Sequence, residues 1–345
     1  MSKFLNTLSN SSMLGYNLLK ALYSKQRVPL IVNYQVTTYC NLRCIYCYAD
    51  LHSPKENKDL STSEVFEDID ILYGLGTRWI RLMGGEPLMR DDIGAIIDYI
   101  KKKGIFCKLN TNGYLVDKKI KDVRKVDTIC MSADGGEDVT DFCRGRGCYK
   151  KVEEATKICH QNNLRVRYHA CITKHTDKNA VDELAHLAKK YGYAFNFAQY
   201  SYATEMKDKI SPTDDHVRDI FRVLIEYKKR GFPVLTSYHT LQWLIQWPFP
   251  YAKILYPEDV KKLPFSVKKC QYSRLNITLN GDGRVIPCTK LFTYGRNYHE
   301  IGMRKAIDYF DNIKCVACAN AGELEMNLLL SFNPKAILNG FRHLV

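Results

Sequence analysis

Short β-rich runs alternate with amphipathic helical stretches between residues 30 and 200, and this alternation constrains the fold more than any other feature. Strands are predicted at residues 30–36, 78–83, 105–109, 128–132, 166–173 and 194–200. Helices are predicted between them at 63–74, 92–103, 116–123, 149–162 and 179–191. Repeated βα units predict a parallel sheet with right-handed crossovers. Six units are too few for an eight-fold barrel, so we expect an α/β fold, a partial (βα)6 barrel of the TIM type.

Three cysteines follow the first predicted strand with the spacing C-x3-C-x2-C, namely Cys40, Cys44 and Cys47. Three thiolates on one loop can hold three irons of a [4Fe–4S] cluster, which normally takes four thiolates. The fourth iron would then keep an open position, and open positions are where metal sites carry out chemistry. The spacing alone is also compatible with a zinc loop or with a chance group of buried thiols.

With the aromatic Tyr46 directly before its last cysteine, this triplet resembles the signature of the radical S-adenosylmethionine (SAM) superfamily. The resemblance implies that the open iron chelates the amino and carboxylate groups of SAM. It also implies reductive cleavage of SAM to a 5′-deoxyadenosyl radical, which removes a hydrogen atom from the substrate. A partial (βα)6 barrel matches the core of that superfamily, and active residues of parallel α/β sheets gather at the carboxyl ends of the strands.

The second predicted strand ends in the sequence MGGEP, residues 83–87. Paired glycines let a backbone approach a ligand closely, and a carboxylate after them can accept hydrogen bonds from an ammonium group. By itself such a segment is compatible with an ordinary turn. One βα unit beyond the cysteines, it resembles the GGEP motif of the radical SAM superfamily. The resemblance implies that Gly84, Gly85 and Glu86 bind the amino group of SAM.

The fourth predicted strand ends at Ser132, and Arg144 follows a dozen residues later. In radical SAM enzymes a serine and an arginine at these places contact the ribose or the carboxylate of SAM. The resemblance therefore implies that Ser132 and Arg144 bind SAM, and a guanidinium suits a bidentate grip on a carboxylate.

Two further residues are candidates for catalysis. Arg167, His169, Cys171 and Thr173 share one face of the fifth strand because side chains alternate along a strand. If that face lines the barrel, His169 can touch SAM or donate a proton to the substrate; otherwise it is a buried histidine bonded to a neighbour. Cys143 lies beside Arg144 and is either a hydrogen donor or a small buried hydrophobe.

Four more cysteines belong to the C-terminal part. Cys270 precedes and Cys288 follows a hairpin predicted at 274–287 around the turn Asn-Gly-Asp-Gly, and Cys315 and Cys318 form a C-x2-C pair. Four soft ligands fit either zinc or a [4Fe–4S] cluster. The pattern C-x12-G-x4-C, followed by C-x2-C, resembles the start of a SPASM domain. Its four-cysteine form, the twitch domain, implies one auxiliary [4Fe–4S] cluster in a small hairpin and helix lobe.

The formal net charge of +14 suggests an anionic partner, such as nucleic acid, an acidic lipid surface or an acidic carrier, or else a lysine-rich solvated surface. The N-terminus has no secretion signal, so we expect the 13 cysteines to lie in a reducing cytoplasm and to serve metal binding or catalysis. No apolar stretch reaches 18 residues, so no membrane-spanning helix is predicted.

Two apolar segments hint at a membrane or a lipid. Residues 14–23 place leucines at helical spacing next to lysines, which predicts either a membrane-surface helix or a helix packed on the main domain. The tail 328–345 is apolar as well, and it includes three successive leucines at 328–330. We therefore expect a possible peripheral contact with anionic membranes, or a lipid-like substrate.

We expect a lead-in at 1–29, a radical SAM core at 30–212, a linker with a twitch-like auxiliary domain at 213–322 and a helical tail at 323–345. The predicted function is cleavage of SAM, with electrons from a flavodoxin- or ferredoxin-like donor. The substrate is either a peptide or protein or a small or lipid-like molecule, and the 39 residues before Cys40 are expected to be too few for a leader-binding domain. The alternatives are a sensor or accessory protein that binds clusters without turnover, and an RNA-modifying enzyme, although nucleic acid is not the expected partner.

Overall fold

The computed structural model describes residues 23, 26–47, 59–199, 210–263, 267 and 269–331. Most of the predicted lead-in helix at 14–23 and the tail beyond residue 331 lie outside the described residues. Within these ranges, no helix is both long enough and apolar enough to cross a membrane.

Six parallel strands form the body of one sheet and pair with each other in chain order. The α/β fold and the partial barrel of six βα units are therefore confirmed, and each observed strand overlaps its predicted range. The strands are β1 (Ile31–Thr37), β2 (Trp79–Gly84), β3 (Phe106–Thr111), β4 (Thr128–Ser132), β5 (Val166–Ile172) and β6 (Ala194–Gln199).

The first helices connect these strands and cover one face of the sheet. Their apolar stripes are buried; α2, for example, places Ile93, Ile96, Ile97 and Ile100 on one face, and all four are fully buried. The prediction missed α4, and α3 is a single turn within the predicted range 116–123. The helices are α1 (Thr62–Gly74), α2 (Ile93–Lys102), α3 (Ile120–Val123), α4 (Glu137–Arg144), α5 (Cys148–Gln161) and α6 (Lys178–Tyr191).

The C-terminal part adds helices and short strands. No helix was predicted at α8, because the sequence around it is rich in aromatic residues and proline. The helices are α7 (Asp214–Lys229), α8 (Tyr238–Ile245), α9 (Pro257–Val260), α10 (Tyr298–Ile301), α11 (Met303–Asp308) and α12 (Ala321–Leu330). The strands are β7 (Ile254–Leu255), β8 (Asn276–Leu279), β9 (Arg284–Ile286), β10 (Arg296–Asn297) and β11 (Ala317–Cys318).

The predicted hairpin is present as β8 and β9, and it extends the barrel sheet. Strand β8 pairs in parallel with β1, from Ile31 opposite Asn276 to Tyr34 opposite Leu279, and β9 and β10 follow in antiparallel order. The full order is β10-β9-β8-β1-β2-β3-β4-β5-β6. Cys270 and Cys288, which flank this hairpin, thus lie next to the same sheet as the first cysteine loop, whereas Cys315 and Cys318 lie at β11, which pairs with β7 in a separate two-stranded sheet.

Helix α12 crosses the predicted boundary at residue 322 and packs next to the last barrel strand, where the Ala321 amide donates to Gln199 Oε1 at 3.3 Å. Leu328 and Leu330 are buried, and Leu329 lines the barrel lumen. These three leucines therefore pack within the fold, and contact with a membrane is not required to explain their apolar character.

Candidate active site at the carboxyl edge of the barrel

The loop with Cys40, Cys44 and Cys47 follows directly after β1, at the edge of the sheet where the parallel strands end. Backbone hydrogen bonds attach it to its neighbours. The Ile45 amide donates to the carbonyl of Cys143 in α4 at 3.0 Å, and the Glu86 amide donates to the Tyr39 carbonyl at 2.7 Å. The loop is therefore fixed by the end of β2 and by helix α4, which follows β4, as expected for a site built at the carboxyl edge.

Gly84 and Gly85 allow the end of β2 to touch this loop. A β-carbon on Gly85 would lie 2.0 Å from the Tyr39 carbonyl oxygen, and one on Gly84 would lie 2.3 Å from the Thr37 carbonyl oxygen. Gly84 also has φ +148°, a conformation that side chains rarely adopt. The paired glycines thus allow the backbone at the end of β2 to contact the backbone that leads into the cysteine loop.

Glu86 is buried at the end of β2 and is held by three neutral donors. Its carboxylate accepts from the Asn112 amide at 2.7 Å, from Thr111 Oγ1 at 2.8 Å and from the Leu88 amide at 3.1 Å. Burial raises its pKa to about 7, and no cationic side chain in the described part of the chain pairs with it. The carboxylate retains acceptor capacity for a cationic ligand, since two oxygens offer about four acceptor sites.

Arg144 is paired with a buried carboxylate that sequence reasoning missed. Its Nε donates to Asp134 Oδ2 at 2.7 Å and its Nη2 to Asp134 Oδ1 at 3.2 Å. The Tyr46 hydroxyl donates to the same carboxylate, and the guanidinium lies 5.5 Å from the centre of the Tyr46 ring. Tyr46 and Arg144 therefore join the cluster loop to the end of β4, while contacts of either residue with SAM stay a prediction.

The other predicted site residues occupy distinct positions. Ser132 ends β4 beside His169 on β5, and His169 Nδ1 lies 3.0 Å from Asn196 Nδ2. Burial, with a contribution from Lys108, lowers the pKa of His169 to about 4, so this imidazole is neutral. Cys143 is fully buried in α4 and burial raises its pKa to about 12, which fits a core thiol.

The four C-terminal cysteines converge although they are up to 48 positions apart in the chain. Cys270, Cys288, Cys315 and Cys318 all line a cavity of about 30 Å³ below the β8–β9 hairpin. Burial raises the pKa of each thiol, and that of Cys318 to about 12. Bound metal would displace these protons, because thiolate is the ligand form.

Glu323 is a further acid at this second cysteine site, and sequence reasoning missed it. The Cys318 thiol lies 3.5 Å from its Oε2, and Thr289 Oγ1 donates to its Oε1 at 3.3 Å. The same carboxylate also lines the barrel lumen. Glu323 was assigned to the tail, and no spacing signal tied it to the cysteines.

Within the described ranges, no three His, Cys, Asp or Glu side chains are close enough together to hold one metal ion. The thiols of a [4Fe–4S] cluster stand farther apart than those around a single zinc ion, because each binds a different iron. The described thiols are therefore not arranged as ligands of one metal ion.

The barrel contains a cavity of about 510 Å³, the lumen, which shares the lining residue Glu323 with the cavity at the C-terminal cysteines. Inward-facing residues of β2 to β6 line one side and α12 lines the other. A cavity of this size can take a small molecule or a few residues of a peptide.

Residues 34–188 match the family model of the radical SAM superfamily. This segment holds the cysteine loop, the GGEP segment and the first five strands. The match assigns residues 34–188 to a radical SAM domain, which carries most of the partial barrel.

Two curated relatives are similar to parts of this chain. The chain is 32% identical to Fe-coproporphyrin III synthase of Methanosarcina barkeri over 157 residues, which is 44% of this chain and 39% of that protein. It is 24% identical to the mycofactocin maturase MftC of Mycolicibacterium smegmatis over 217 residues, which is 61% of this chain and 54% of that protein. It therefore spans about two fifths to just over half of these curated relatives.

Among solved structures, Streptococcus suis SuiB bound to the precursor peptide SuiA matches with a TM-score of 0.64 and 16% identity. The match covers 95% of this chain and 79% of SuiB. At this identity the likeness is one of fold, and it extends beyond the radical SAM domain into the C-terminal part.

Proposed function

We propose that the protein cleaves SAM with a [4Fe–4S] cluster bound by Cys40, Cys44 and Cys47. The observation that carries the proposal is the position of Glu86 beside this loop. It is a buried carboxylate with three neutral donors and no cationic partner among the described residues. Such a group is costly to bury unless a ligand supplies the positive charge, and SAM has an ammonium group.

When bound, the cluster and SAM supply a 5′-deoxyadenosyl radical that removes a hydrogen atom from the substrate. The residues of this chain position those groups. Glu86 would accept from the ammonium of SAM, while Gly84 and Gly85 keep the backbone of β2 against the cysteine loop. Tyr46 and the Asp134–Arg144 pair would keep that loop at the carboxyl end of β4. Ser132 and Arg144 remain our proposed contacts for the ribose or carboxylate of SAM.

A second [4Fe–4S] cluster is proposed at Cys270, Cys288, Cys315 and Cys318. Four thiols around one small cavity support it, and so does a fold match to SuiB that covers nearly the whole chain. Four thiolates can satisfy all four irons, so we propose a fully ligated cluster that exchanges electrons. Its place beside the lumen, with Glu323 in both linings, would allow an electron to pass to or from the substrate.

The substrate is proposed to be a peptide or a small molecule bound in the lumen. The maturase MftC and the precursor peptide in the SuiB structure favour a peptide. The synthase of Fe-coproporphyrin III favours a small molecule. A flavodoxin- or ferredoxin-like protein is the proposed electron donor, and contact with anionic membranes stays a prediction because the segment at 1–22 lies outside the described residues.

The test is anaerobic reconstitution with iron and sulfide, followed by incubation with SAM and dithionite. We expect 5′-deoxyadenosine as a product, even as slow cleavage without substrate. Glu86→Gln should reduce the rate at least about tenfold, because a hydrogen bond to a charged group is lost. Glu154→Gln, at a half-buried position of α5 that pairs only with Lys151, serves as the matched control and should cleave SAM like the native protein.

If the reconstituted protein carries clusters but forms no 5′-deoxyadenosine, the enzyme proposal fails. A cluster-binding sensor or accessory protein would then be the better description.

A further inference from the structure

We propose that the lumen binds an oxyanion group of the substrate, either a carboxylate or a phosphate, through Arg81, Lys108 and Arg167. The inference rests on the proposed function only in naming the bound molecule as the substrate. Anion binding itself can be measured without turnover.

The three cations come from three strands and line the same cavity. Arg81 of β2 lies opposite Lys108 of β3, and Arg167 of β5 lies opposite Cys130 of β4. Their sequence neighbours on these strands, such as Leu109 and Tyr168, are buried in the core on the other face. Strand alternation therefore directs all three cationic side chains into the lumen.

None of the three cations has a carboxylate within 4 Å in the described part of the chain. Lys108 and Arg167 both contact the thiol of Cys130, and Arg81 Nη1 donates to Asn33 Oδ1 at 3.2 Å. The Nε atoms of Arg81 and Arg167 are buried without a hydrogen-bond partner. Lys108 is buried and the two arginines are half-buried, and charge of one sign with unused donors is unfavourable there unless a ligand completes it.

The cations also repel one another. Burial lowers the pKa of Lys108 well below its ordinary value, and the nearby Arg167 and Arg81 lower it further. Burial likewise lowers the pKa of Arg167, with a smaller contribution from Arg81. An anion placed between them would relieve this repulsion, and arginine is suited to planar oxyanions.

The acidic side chains that line the cavity are bound to other groups. Asp127 accepts a hydrogen bond from Lys101 at 2.6 Å. Glu325 accepts one from Ser237 at 2.8 Å, and Glu323 accepts one from Thr289 at 3.3 Å. A further unused donor, Trp79 Nε1, also faces no partner. The lumen thus offers an excess of donors and positive charge, which matches the acceptor oxygens of a carboxylate or phosphate.

The depth of this site fits a role in positioning. Arg81 lies three residues before the end of β2 at Gly84, which is about 10 Å at the usual rise along a strand. An anion held there directs the rest of the substrate past His169 toward the cysteine loop. Binding energy from a remote charged group can in this way orient the carbon that reacts.

The experiment is calorimetric titration of the anaerobically reconstituted protein at constant ionic strength. Four probes are used: phosphate, pyrophosphate, malonate and citrate. We expect the phosphates or the carboxylates to bind, and the class that binds identifies the group. Arg167→Gln should weaken that binding roughly ten- to a hundredfold, since it removes charged hydrogen bonds. The exposed Arg124→Gln is the matched control and should bind like the native protein.

The proposal is overturned if none of the probes binds the native protein, or if Arg167→Gln binds them equally well. A second measurement, of thermal stability, distinguishes loss of anion binding from misfolding. Lys108→Met keeps the side-chain volume and removes one repelling charge, so the ligand-free melting temperature should rise. A lower melting temperature would assign Lys108 a structural role and would also overturn the proposal. SAM cleavage by the native protein is scored separately, so failure of anion binding leaves that result intact.

Discussion

The two sets of cysteines occupy different places in the fold. Cys40, Cys44 and Cys47 follow β1 at the carboxyl edge of the barrel sheet, next to Glu86. Two of the four C-terminal cysteines flank the β8–β9 hairpin of that sheet, and the other two lie at and just before β11, which pairs with β7 in a separate two-stranded sheet. All four line a cavity of about 30 Å³. Three thiols can leave one iron of a cluster without a protein ligand, whereas four thiols can bind every iron, so the number of thiols indicates a different role for each site.

The charged side chains inside the protein also fall into two groups, paired and unpaired. Asp134 and Arg144 satisfy each other, so their pairing accounts for them within the protein. Glu86 has no cationic partner among the described residues, and Arg81, Lys108 and Arg167 have no carboxylate within 4 Å there, although Glu323 lines the same cavity. A buried charge that lacks a partner is the stronger indicator of a ligand, because the fold alone does not explain its retention.

The largest expected effect separates the two cysteine sites. Cys44→Ser should abolish SAM cleavage, because the first cluster would lose a ligand and with it the reducing electron. Cys288→Ser should lower the iron content by about half and slow cleavage without abolishing it, as expected for an auxiliary cluster. Product analysis and iron determination on both variants check this contrast.

Cys159→Ala is the control for these substitutions, since Cys159 is a buried thiol of α5 that belongs to neither set of cysteines. It should retain both its iron and its activity. Equal loss of cleavage in Cys44→Ser and Cys288→Ser would remove the distinction between the two sites.

The next effect concerns the charge pair that joins the first loop to β4. Asp134→Asn leaves Arg144 as a buried cation with only neutral partners, so it should lower the free energy of unfolding by about 3–5 kcal/mol. The exposed pair of Arg222 and Asp219 provides the control, and Asp219→Asn should cost at most about 1 kcal/mol. Denaturant unfolding of both variants measures the difference, and similar values would mean that the buried pair has no special role.

A smaller effect is expected where the first loop touches β2. Gly85→Ala places a methyl group 2.0 Å from the Tyr39 carbonyl oxygen, so it should destabilise the protein by about 1–3 kcal/mol and reduce the iron bound by the first loop. Gly74→Ala is the control, because a β-carbon there meets nothing within 4 Å. Thermal unfolding and iron analysis check the pair. A normal iron content in Gly85→Ala would show that the loop does not depend on this contact.

Much of the fold could be predicted because its signals are local. The strands read as short β-rich runs, and the inward face of β5 followed from alternation, so Arg167 and His169 were placed on one face before the structure was available. Helix α4 was missed because its sequence from Glu137 to Arg144 is short and mostly polar, with few apolar residues to mark a buried stripe.

Non-local contacts escaped prediction. Asp134 was not predicted as a site residue, although it is the partner of Arg144, and Glu323 was assigned to the tail. Nothing in their local sequence encodes a partner brought near by the fold. The pairing of β8 with β1 was missed for the same reason, since strand order across 240 residues depends on the whole sheet.

The central claim is that the cluster at the first cysteine site has an iron to which SAM can bind, and that the cluster at the second site has none. Electron paramagnetic resonance of reduced, reconstituted protein tests it most directly, with a Cys288→Ser/Cys315→Ser variant to isolate the first cluster and a Cys40→Ser/Cys44→Ser variant to isolate the second. We predict that SAM changes the spectrum of the first cluster and leaves the spectrum of the second unchanged. A spectrum of the isolated first cluster that does not respond to SAM, or a second cluster that does, would contradict the account.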